Sequence, residues 1–151
     1  MSKTDEPLLP PDGRQSEAAL EIARGVGRVL RAHALAYVPE LPLANGRRAD
    51  IMGLTPSGEI WIVEIKSSIE DFRADHKWAE YRDYSDQFYF AVGPAFPAAL
   101  IPSDAGLIIA DRYGGEIVRG APLHKLAPAR RKVVQLTFAR AAALRLAAAM
   151  D

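Results

Sequence analysis

Hydrophobic residues recur at two different spacings along the chain, and the spacing separates helices from strands. After Ser16, apolar residues return every three or four positions while charges mark another face, which predicts an amphipathic helix capped by Ser16. Residues 1–13 before it contain three prolines and scattered charge, and we expect them to be a flexible tail. The remainder, 14–151, is long enough for one core and is predicted to be a single domain.

Three short β-rich segments follow the first helix, at 35–43, 49–55 and 59–67. An Asn-Gly pair at 45–46 and a Pro-Ser-Gly turn at 56–58 separate them. Short turns join neighbouring strands, so we expect three consecutive antiparallel strands. The third segment contains a nearly unbroken apolar run, which predicts a central strand covered on both faces.

The second half of the chain alternates helical and strand patterns. Ser68 and Asp71 have the spacing of a capping box, and they open a predicted helix at 68–85 that breaks near Asp75. The elements predicted after it are strands at 87–93 and 106–110, a hairpin at 111–120 turning around Gly114 and Gly115, and a helix at 129–150. A strand that follows a crossover helix lies parallel to an earlier strand. The order therefore predicts an α/β (α+β layered) fold with a mixed sheet flanked by helices.

The amino-acid composition excludes some kinds of functional site but does not identify the function. The 19 basic and 19 acidic residues cancel, so contact with nucleic acid would need a local basic patch. The absence of cysteine excludes disulfides, thiolate nucleophiles and cysteine-ligated metal sites. The polar start does not have the pattern of a secretory signal, and no stretch has the roughly 20 apolar residues of a membrane span. We therefore expect a cytoplasmic protein that does not contact a membrane.

Three charged residues lie in the predicted strands, where apolar residues dominate. Side chains alternate along a strand, so Glu64 and Lys66 point the same way, and pairing through the turn at 56–58 brings Asp50 to the same end. Two close carboxylates repel unless a cation lies between them, and their hard oxygens suit Mg²⁺ or Mn²⁺. The predicted chemistry is phosphodiester hydrolysis, with Lys66 orienting water or neutralising charge. The alternative is an ordinary surface pair of Glu64 and Lys66, worth at most about 1 kcal/mol.

Two longer segments extend this pattern. RRAD at 47–50 and VEIKSS at 63–68, placed after a helix, resemble the PD-(D/E)XK nuclease superfamily. The run RRADI, followed by VEIKSSIEDFRADHKWAEYRDYSDQFYFAV, is similar to the MmcB family of DNA-repair proteins. The resemblance implies a restriction-endonuclease-like α-β-β-β-α-β core and metal-dependent cleavage of DNA, with Asp50 and Glu64 as metal ligands and Lys66 as the catalytic lysine. Ala49 replaces the usual proline, which carries no catalytic group.

The resemblance also implies accessory residues. An acidic residue of the first helix often completes such metal sites, and Glu17 and Glu21 are the candidates, with Glu17 preferred because it lies nearer the helix start. Lys77 and Tyr81 are four apart and therefore on one helical face. They resemble in position the Gln-x-x-x-Tyr element of RecB-like nucleases, with lysine in place of glutamine. They would contact a phosphate, or Tyr81 would belong to the core with its hydroxyl at the rim.

Basic residues provide the predicted DNA contacts. Arg47 and Arg48 adjoin Asp50, and further candidates are Arg82, Arg130, Arg131 and Lys132. Such contacts bind phosphates without reading bases. The other polar residues, Asp71, Asp75, His76, Asp83 and Asp86, are interpreted as ordinary polar positions rather than a second metal site.

The leading hypothesis is a Mg²⁺- or Mn²⁺-dependent DNA endonuclease of repair. One alternative is an inactive nuclease-fold module that binds DNA or a repair partner, and another is an unrelated α/β protein in which the Glu-Lys pair is structural. Homodimerisation stays open, because such folds often work as dimers.

Overall fold

The computed structural model describes residues 16–151, and the tail predicted at 1–13 lies outside them. The elements, in chain order, are α1 (Glu17–Ala32), β1 (Ala36–Pro42), β2 (Arg48–Leu54), β3 (Ile60–Ile65), α2 (Ile69–Ala74), a 3-10 helix (Trp78–Tyr84), β4 (Gln87–Val92), a 3-10 turn (Ala98–Leu100), β5 (Gly106–Asp111), β6 (Gly114–Arg119) and α3 (Pro128–Met150). The strands form one six-stranded sheet in the order β1 to β6. The predicted mixed sheet with flanking helices is confirmed.

The strand directions also follow the prediction. The first three strands pair antiparallel, β3, β4 and β5 run parallel, and β6 returns antiparallel to β5. The turn between β1 and β2 uses Gly46 at a φ of +84°, a conformation that favours glycine. All six residues of β3 are buried, as the apolar run at 60–63 predicts. The crossover through α2 and the 3-10 helix accounts for the change from antiparallel to parallel pairing.

Helices cover both faces of the sheet. On one face α1 packs Val26 and Leu30 against the strands, and a side chain at Gly25 would lie 2.1 Å from the carbonyl oxygen of Asp111. Glycine therefore permits the close approach of α1 to the β5–β6 hairpin. On the other face, α3 contributes Val134 and Phe138 to the core together with the 3-10 helix. The two layers explain why β3 is inaccessible from either side.

The predicted helix at 68–85 is broken near Asp75, as expected, but its second half is a 3-10 helix. In a 3-10 helix, side chains three positions apart lie on the same side. Trp78 and Tyr81 therefore both stack on Phe88, with ring centroids 5.6 and 6.0 Å apart. This aromatic packing explains the tighter winding, which the sequence pattern did not indicate.

The predicted hairpin is displaced by two residues. The chain turns at Arg112 and Tyr113, and Gly114 and Gly115 lie inside β6. Asp111 makes the turn, because its Oδ1 accepts hydrogen bonds from the backbone N–H groups of Tyr113 and Gly114 at 2.8 and 3.2 Å. An aspartate that bonds forward to the backbone initiates turns in this way. The prediction of a turn around the two glycines was wrong.

The closing helix α3 begins one residue before the predicted 129–150, but it differs from the expectation that no stretch is long and apolar enough to span a membrane. By length and composition it would suffice to cross a membrane, with a mean hydropathy of 1.3 over 18 residues. It lies against the sheet, however, with Val134 and Phe138 buried. Arg145 anchors its second half by donating to the carbonyl oxygens of Pro39 and Glu40. Only 11% of the 18-residue window is buried, so most of the apolar surface of α3 is exposed in the structure.

Candidate functional site

Asp50 and Glu64, called here the carboxylate pair, lie where β2 and β3 separate. The last backbone-paired residues before them are Ile51 and Val63. Beyond that point, the Asp50 N–H donates to Glu64 Oε2 and the Ile65 N–H donates to Asp50 Oδ2, both at 2.8 Å. Each carboxylate thus takes a role that a backbone carbonyl has elsewhere in the ladder. These bonds fix the position of both groups and use one oxygen of each.

The surroundings of the carboxylate pair oppose its negative charge. Burial raises the pKa of Asp50 to about 6, although the Ile65 N–H and the Lys66 charge act in the opposite direction. Burial also raises the pKa of Glu64 well above its usual range, and the charge of Asp50 adds to that effect. Glu64 is only 5% exposed. Such a pair favours taking up a proton or a cation.

Lys66 lies beside the carboxylate pair and carries a firm positive charge. Burial by itself lowers its pKa, but the hydrogen bond and charge of Asp75 outweigh that effect and raise the pKa overall. Lys66 Nζ lies 2.8 Å from Asp75 Oδ2, and both side chains are largely buried. Asp75 is held in turn by the Lys77 N–H at 2.9 Å. Asp75 therefore orients the ammonium group, a role that the sequence interpretation missed.

Two cavities meet at the carboxylate pair. The first, called the arginine cavity, has a volume of about 540 Å³ and is lined by Pro42, Leu43, Gly46, Arg47, Arg48, Asp50, Glu64 and Tyr81. The second, called the lysine cavity, has about 320 Å³ and is lined by Ser16, Ala19, Asp50, Glu64, Ile65, Lys66, Ser67 and Asp71. Because the carboxylate pair lines both cavities, one extended ligand could contact both sets of residues.

Basic groups of the arginine cavity are held only loosely. Arg47 Nε lies 3.2 Å from Glu80 Oε1, and Arg48 lies 3.8 Å from a Glu40 oxygen, with all four side chains solvent-accessible. Exposed ion pairs of this kind contribute about 1 kcal/mol or less. The guanidinium groups can therefore exchange these partners for a phosphate. The Tyr81 hydroxyl donates to the Arg48 carbonyl oxygen at 3.1 Å and so ties β2 to the 3-10 helix.

A family model described as "DNA repair protein MmcB-like" matches residues 5–151. The chain belongs to the MmcB-like family. This confirms the resemblance to the MmcB family that rests on RRADI and the run VEIKSSIEDFRADHKWAEYRDYSDQFYFAV, and the family description names DNA repair. A similar solved structure is the SPO1766 protein of unknown function from Silicibacter pomeroyi, which is 52% identical, with 91% of this chain and 94% of that chain covered and a TM-score of 0.86. No curated protein matches the chain.

Neither acidic residue of α1 joins the carboxylate pair in this MmcB-like chain. Glu17 is exposed and does not line the arginine or the lysine cavity, and Glu21 pairs with Arg112 at 3.2 Å. The start of α1 instead presents Ser16 and Ala19 to the lysine cavity. Residues one position apart on an α-helix point about 100° apart, which turns Glu17 away. Within residues 16–151, no three His, Asp or Glu side chains form a group that could hold a metal ion.

Lys77 does not share a face with Tyr81, contrary to the prediction. It is the exposed N-cap of the 3-10 helix, with φ −129° and ψ 10°, and it does not line the arginine cavity. A 3-10 helix has three residues per turn, so positions four apart diverge. Tyr81 is buried against Phe88, and its hydroxyl lies at the cavity rim. The core interpretation of Tyr81 is therefore the better description.

Asp86 forms a second buried carboxylate centre in the MmcB-like fold, away from the carboxylate pair. Its side chain is 0% exposed and accepts the N–H groups of Ile60 at 2.7 Å and Leu126 at 2.9 Å. Arg131 completes the cluster with a short hydrogen bond. Burial raises the pKa of Asp86, but these donors outweigh it and lower the pKa overall. Asp86 is therefore a structural carboxylate that holds β3, the segment before α3 and α3 together, a role that the sequence did not indicate.

Three of the other predicted DNA contacts, Arg82, Arg130 and Arg131, have structural partners, whereas Lys132 is an exposed residue of α3. Arg131 is committed to Asp86, and Arg130 donates to the Asp83 carbonyl oxygen at 2.8 Å. Arg82 lies 4.7 Å from the centre of the Trp78 ring and bonds Asp104. These contacts give the three arginines roles in the fold, and they leave Arg47 and Arg48 as the predicted DNA-contact arginines beside the carboxylate pair.

Proposed function

We propose that this MmcB-like chain is a divalent-metal-dependent endonuclease that hydrolyses phosphodiester bonds of DNA during repair. The observation that carries the proposal is the carboxylate pair. Asp50 and Glu64 are each fixed by one backbone N–H, and burial raises the pKa of both. A protein gains no stability from such an arrangement unless something neutralises it, so the pair is better explained by a bound cation than by packing.

The donor set fits Mg²⁺ or Mn²⁺. The hydrogen bonds fix Asp50 Oδ2 and Glu64 Oε2, and the second oxygen of each carboxylate is a hard ligand of the kind these ions prefer. Asp50 and Glu64 would hold the ion, while the adjoining cavities leave room for water and phosphate. When bound, such an ion lowers the pKa of a water ligand and offsets negative charge on the phosphate.

Lys66 contributes a positive charge to the reaction and does not act as a proton acceptor. Its raised pKa keeps the ammonium protonated, and Asp75 orients it at 2.8 Å. A fixed cation beside the scissile phosphate stabilises the charge that grows on the phosphoryl oxygens. It also donates a hydrogen bond that can orient the attacking water. Arg47 and Arg48 would hold neighbouring phosphates of the DNA backbone in the arginine cavity.

Cleavage of a labelled DNA panel tests the proposal. Duplex, single-stranded, nicked and branched DNA are incubated with Mn²⁺ and the wild-type chain, Glu64→Gln or Lys66→Met. We expect cleavage by the wild type and a loss of about 100-fold or more in both variants, because charge stabilisation is removed. Glu70→Gln and Lys125→Met change the same residue types at exposed positions and serve as controls that retain activity. Equal activity of Glu64→Gln and wild type would sink the proposal.

One observation favours a second candidate, a DNA-binding module without turnover. Although Asp71 lines the lysine cavity with the carboxylate pair, no three His, Asp or Glu side chains among the described residues form a group that could hold a metal ion. Two protein ligands hold a divalent ion more weakly than three or four. If the wild type binds DNA with steep salt dependence but cuts no member of the panel, the binding module is the better conclusion.

A further inference from the structure

A third cavity adjoins the lysine cavity and has a different chemistry. It encloses about 340 Å³ between α1, the start of α2 and the loop after β4, and its walls are mainly apolar. Ile22 and Ile69 form two sides, and the loop contributes Phe96 between Pro94 and Pro97. We call it the apolar cavity. Ser67 lines both this cavity and the lysine cavity, so the two adjoin at the end of β3.

We propose that the apolar cavity binds an unpaired nucleobase of the DNA strand whose phosphate lies at the carboxylate pair. This inference rests on the proposed function and names its substrate class as single-stranded or flapped DNA. When a DNA strand places one phosphate beside Lys66, the bases on either side of that phosphate project away from the sugar-phosphate backbone. The apolar cavity, reached past Ser67, offers one of them a site. A base in a regular duplex is stacked and paired and could not enter.

The walls suit a flat aromatic group better than a phosphate. Phe96 is held edge-on by Phe72, with ring centroids 6.1 Å apart, and bases stack on such rings independently of sequence. The acidic side chains on the rim are Glu21 and Asp111, which disfavour a phosphate. Arg112 offsets the first, and two backbone N–H groups satisfy the second. The N–H partners of Asp111 are neutral and do not cancel its charge, so this wall still favours an uncharged base over a phosphate.

Gly93 gives a direct way to close the apolar cavity. It lines the cavity at the end of β4, and its φ lies outside the left-handed region, so its backbone does not require glycine. A Cβ built there would meet only Ile22 Cδ1, at an ordinary 3.9 Å. Leucine at this position would extend into the space without a backbone clash. Gly120→Leu is the matched control, because Gly120 is also outside the left-handed region and has open space around it.

Binding without cleavage tests the inference. Fluorescence anisotropy in EDTA at low salt compares a labelled single strand, a strand of equal length with abasic positions, and the duplex. We expect the wild type to bind the normal strand about fivefold or more tightly than the abasic strand, as stacking of one base implies. Gly93→Leu should lose this preference, and Gly120→Leu should keep it. Unfolding curves of both variants establish that each is folded.

Three outcomes would overturn the inference: equal binding of normal and abasic strands, an unchanged preference in Gly93→Leu, or binding of free deoxynucleoside monophosphates as tight as that of the strand. The last outcome would assign the cavity to free nucleotides. The assay contains no divalent ion, so it is independent of cleavage. A retained base preference with a silent cleavage panel would remove only the nuclease proposal, and cleavage without base preference would remove only this inference.

Discussion

The fold contains two buried carboxylate centres with opposite properties. Asp86 is fully buried, yet its pKa is lowered because two backbone N–H groups and Arg131 bind it. Asp50 and Glu64 lie together, and each accepts a hydrogen bond from only one backbone N–H group. Burial raises the pKa of both carboxyl groups. Desolvation opposes the charge at both centres; at Asp86 two N–H donors and the Arg131 charge outweigh it, whereas at the pair one N–H donor for each group and the Lys66 charge do not. A satisfied carboxylate stabilises the fold, whereas an unsatisfied pair retains affinity for a ligand.

Removing the satisfied carboxylate should have the largest effect. Asp86→Ala leaves the Ile60 and Leu126 N–H groups and the Arg131 guanidinium without their buried partner. Breaking one side of a buried charge pair costs about 3–5 kcal/mol in the free energy of unfolding. Urea unfolding followed by circular dichroism measures the loss. Asp104→Ala is the control, because Asp104 pairs with Arg82 at the surface and its removal should change the midpoint little. Equal midpoints for both variants would contradict the comparison.

The carboxylate pair should lower the free energy of unfolding of the metal-free protein as the pH rises. The pKa of Asp50 is about 6 in the folded chain against an ordinary 3.8, so between these values the folded state binds more protons than the unfolded state. The free energy of unfolding should therefore fall by roughly 2 kcal/mol across this window, and Glu64 should extend the fall to higher pH. Asp86 acts in the opposite direction, because its lowered pKa removes stability only as the pH drops below about 4.

Unfolding in urea at several pH values, with and without Mg²⁺, measures this dependence. Magnesium should flatten the fall above pH 6 by neutralising the pair, and Glu64→Gln should flatten it without metal, since glutamine can still accept the Asp50 N–H bond. A stability that rises from pH 4 to pH 6 in the metal-free wild type would show that the two centres do not differ as described.

The smallest effect on the free energy of unfolding is expected for a change at Asp75, which positions Lys66. In Asp75→Asn the single amide oxygen can still accept from Lys66, and the exposed Lys77 N–H can bond water instead, so the free energy of unfolding should fall by only about 1 kcal/mol. Loss of the negative charge lowers the pKa of Lys66, and cleavage should decline at a lower pH than in the wild type. The pH profile of cleavage measures this shift, and the exposed Asp83→Asn provides the control. Identical profiles for Asp75→Asn and wild type would remove the positioning role.

The sequence predicted the carboxylate pair because local rules determine it. The short turn at 56–58 sets the register of β2 and β3, and side-chain alternation then places Asp50 and Glu64 at the same end. The partners of Asp86 were not predictable in this way, because they lie 26, 40 and 45 residues away. The sequence signal that could have indicated a buried role for Asp86 is its position directly before the apolar strand QFYFAV.

The position of Glu17 away from the carboxylate pair was also not predictable from local sequence. The rotation of α1 depends on its contact with the β5–β6 hairpin, where Gly25 meets Asp111. That contact joins elements far apart in the chain, and no local pattern indicates it. The helix itself and its Ser16 cap were predicted, and both are confirmed.

Asp86 also constrains the order in which a newly made chain can mature. Its carboxylate holds the first residue of β3, which leads to Glu64, but the cation that compensates it belongs to α3. A ribosome delivers β3 well before α3. Until Arg131 has emerged, the carboxylate that holds the start of β3, the strand of Glu64, has no cationic partner from α3. We therefore expect β3, and with it Glu64, to reach its final position only after the closing helix has docked.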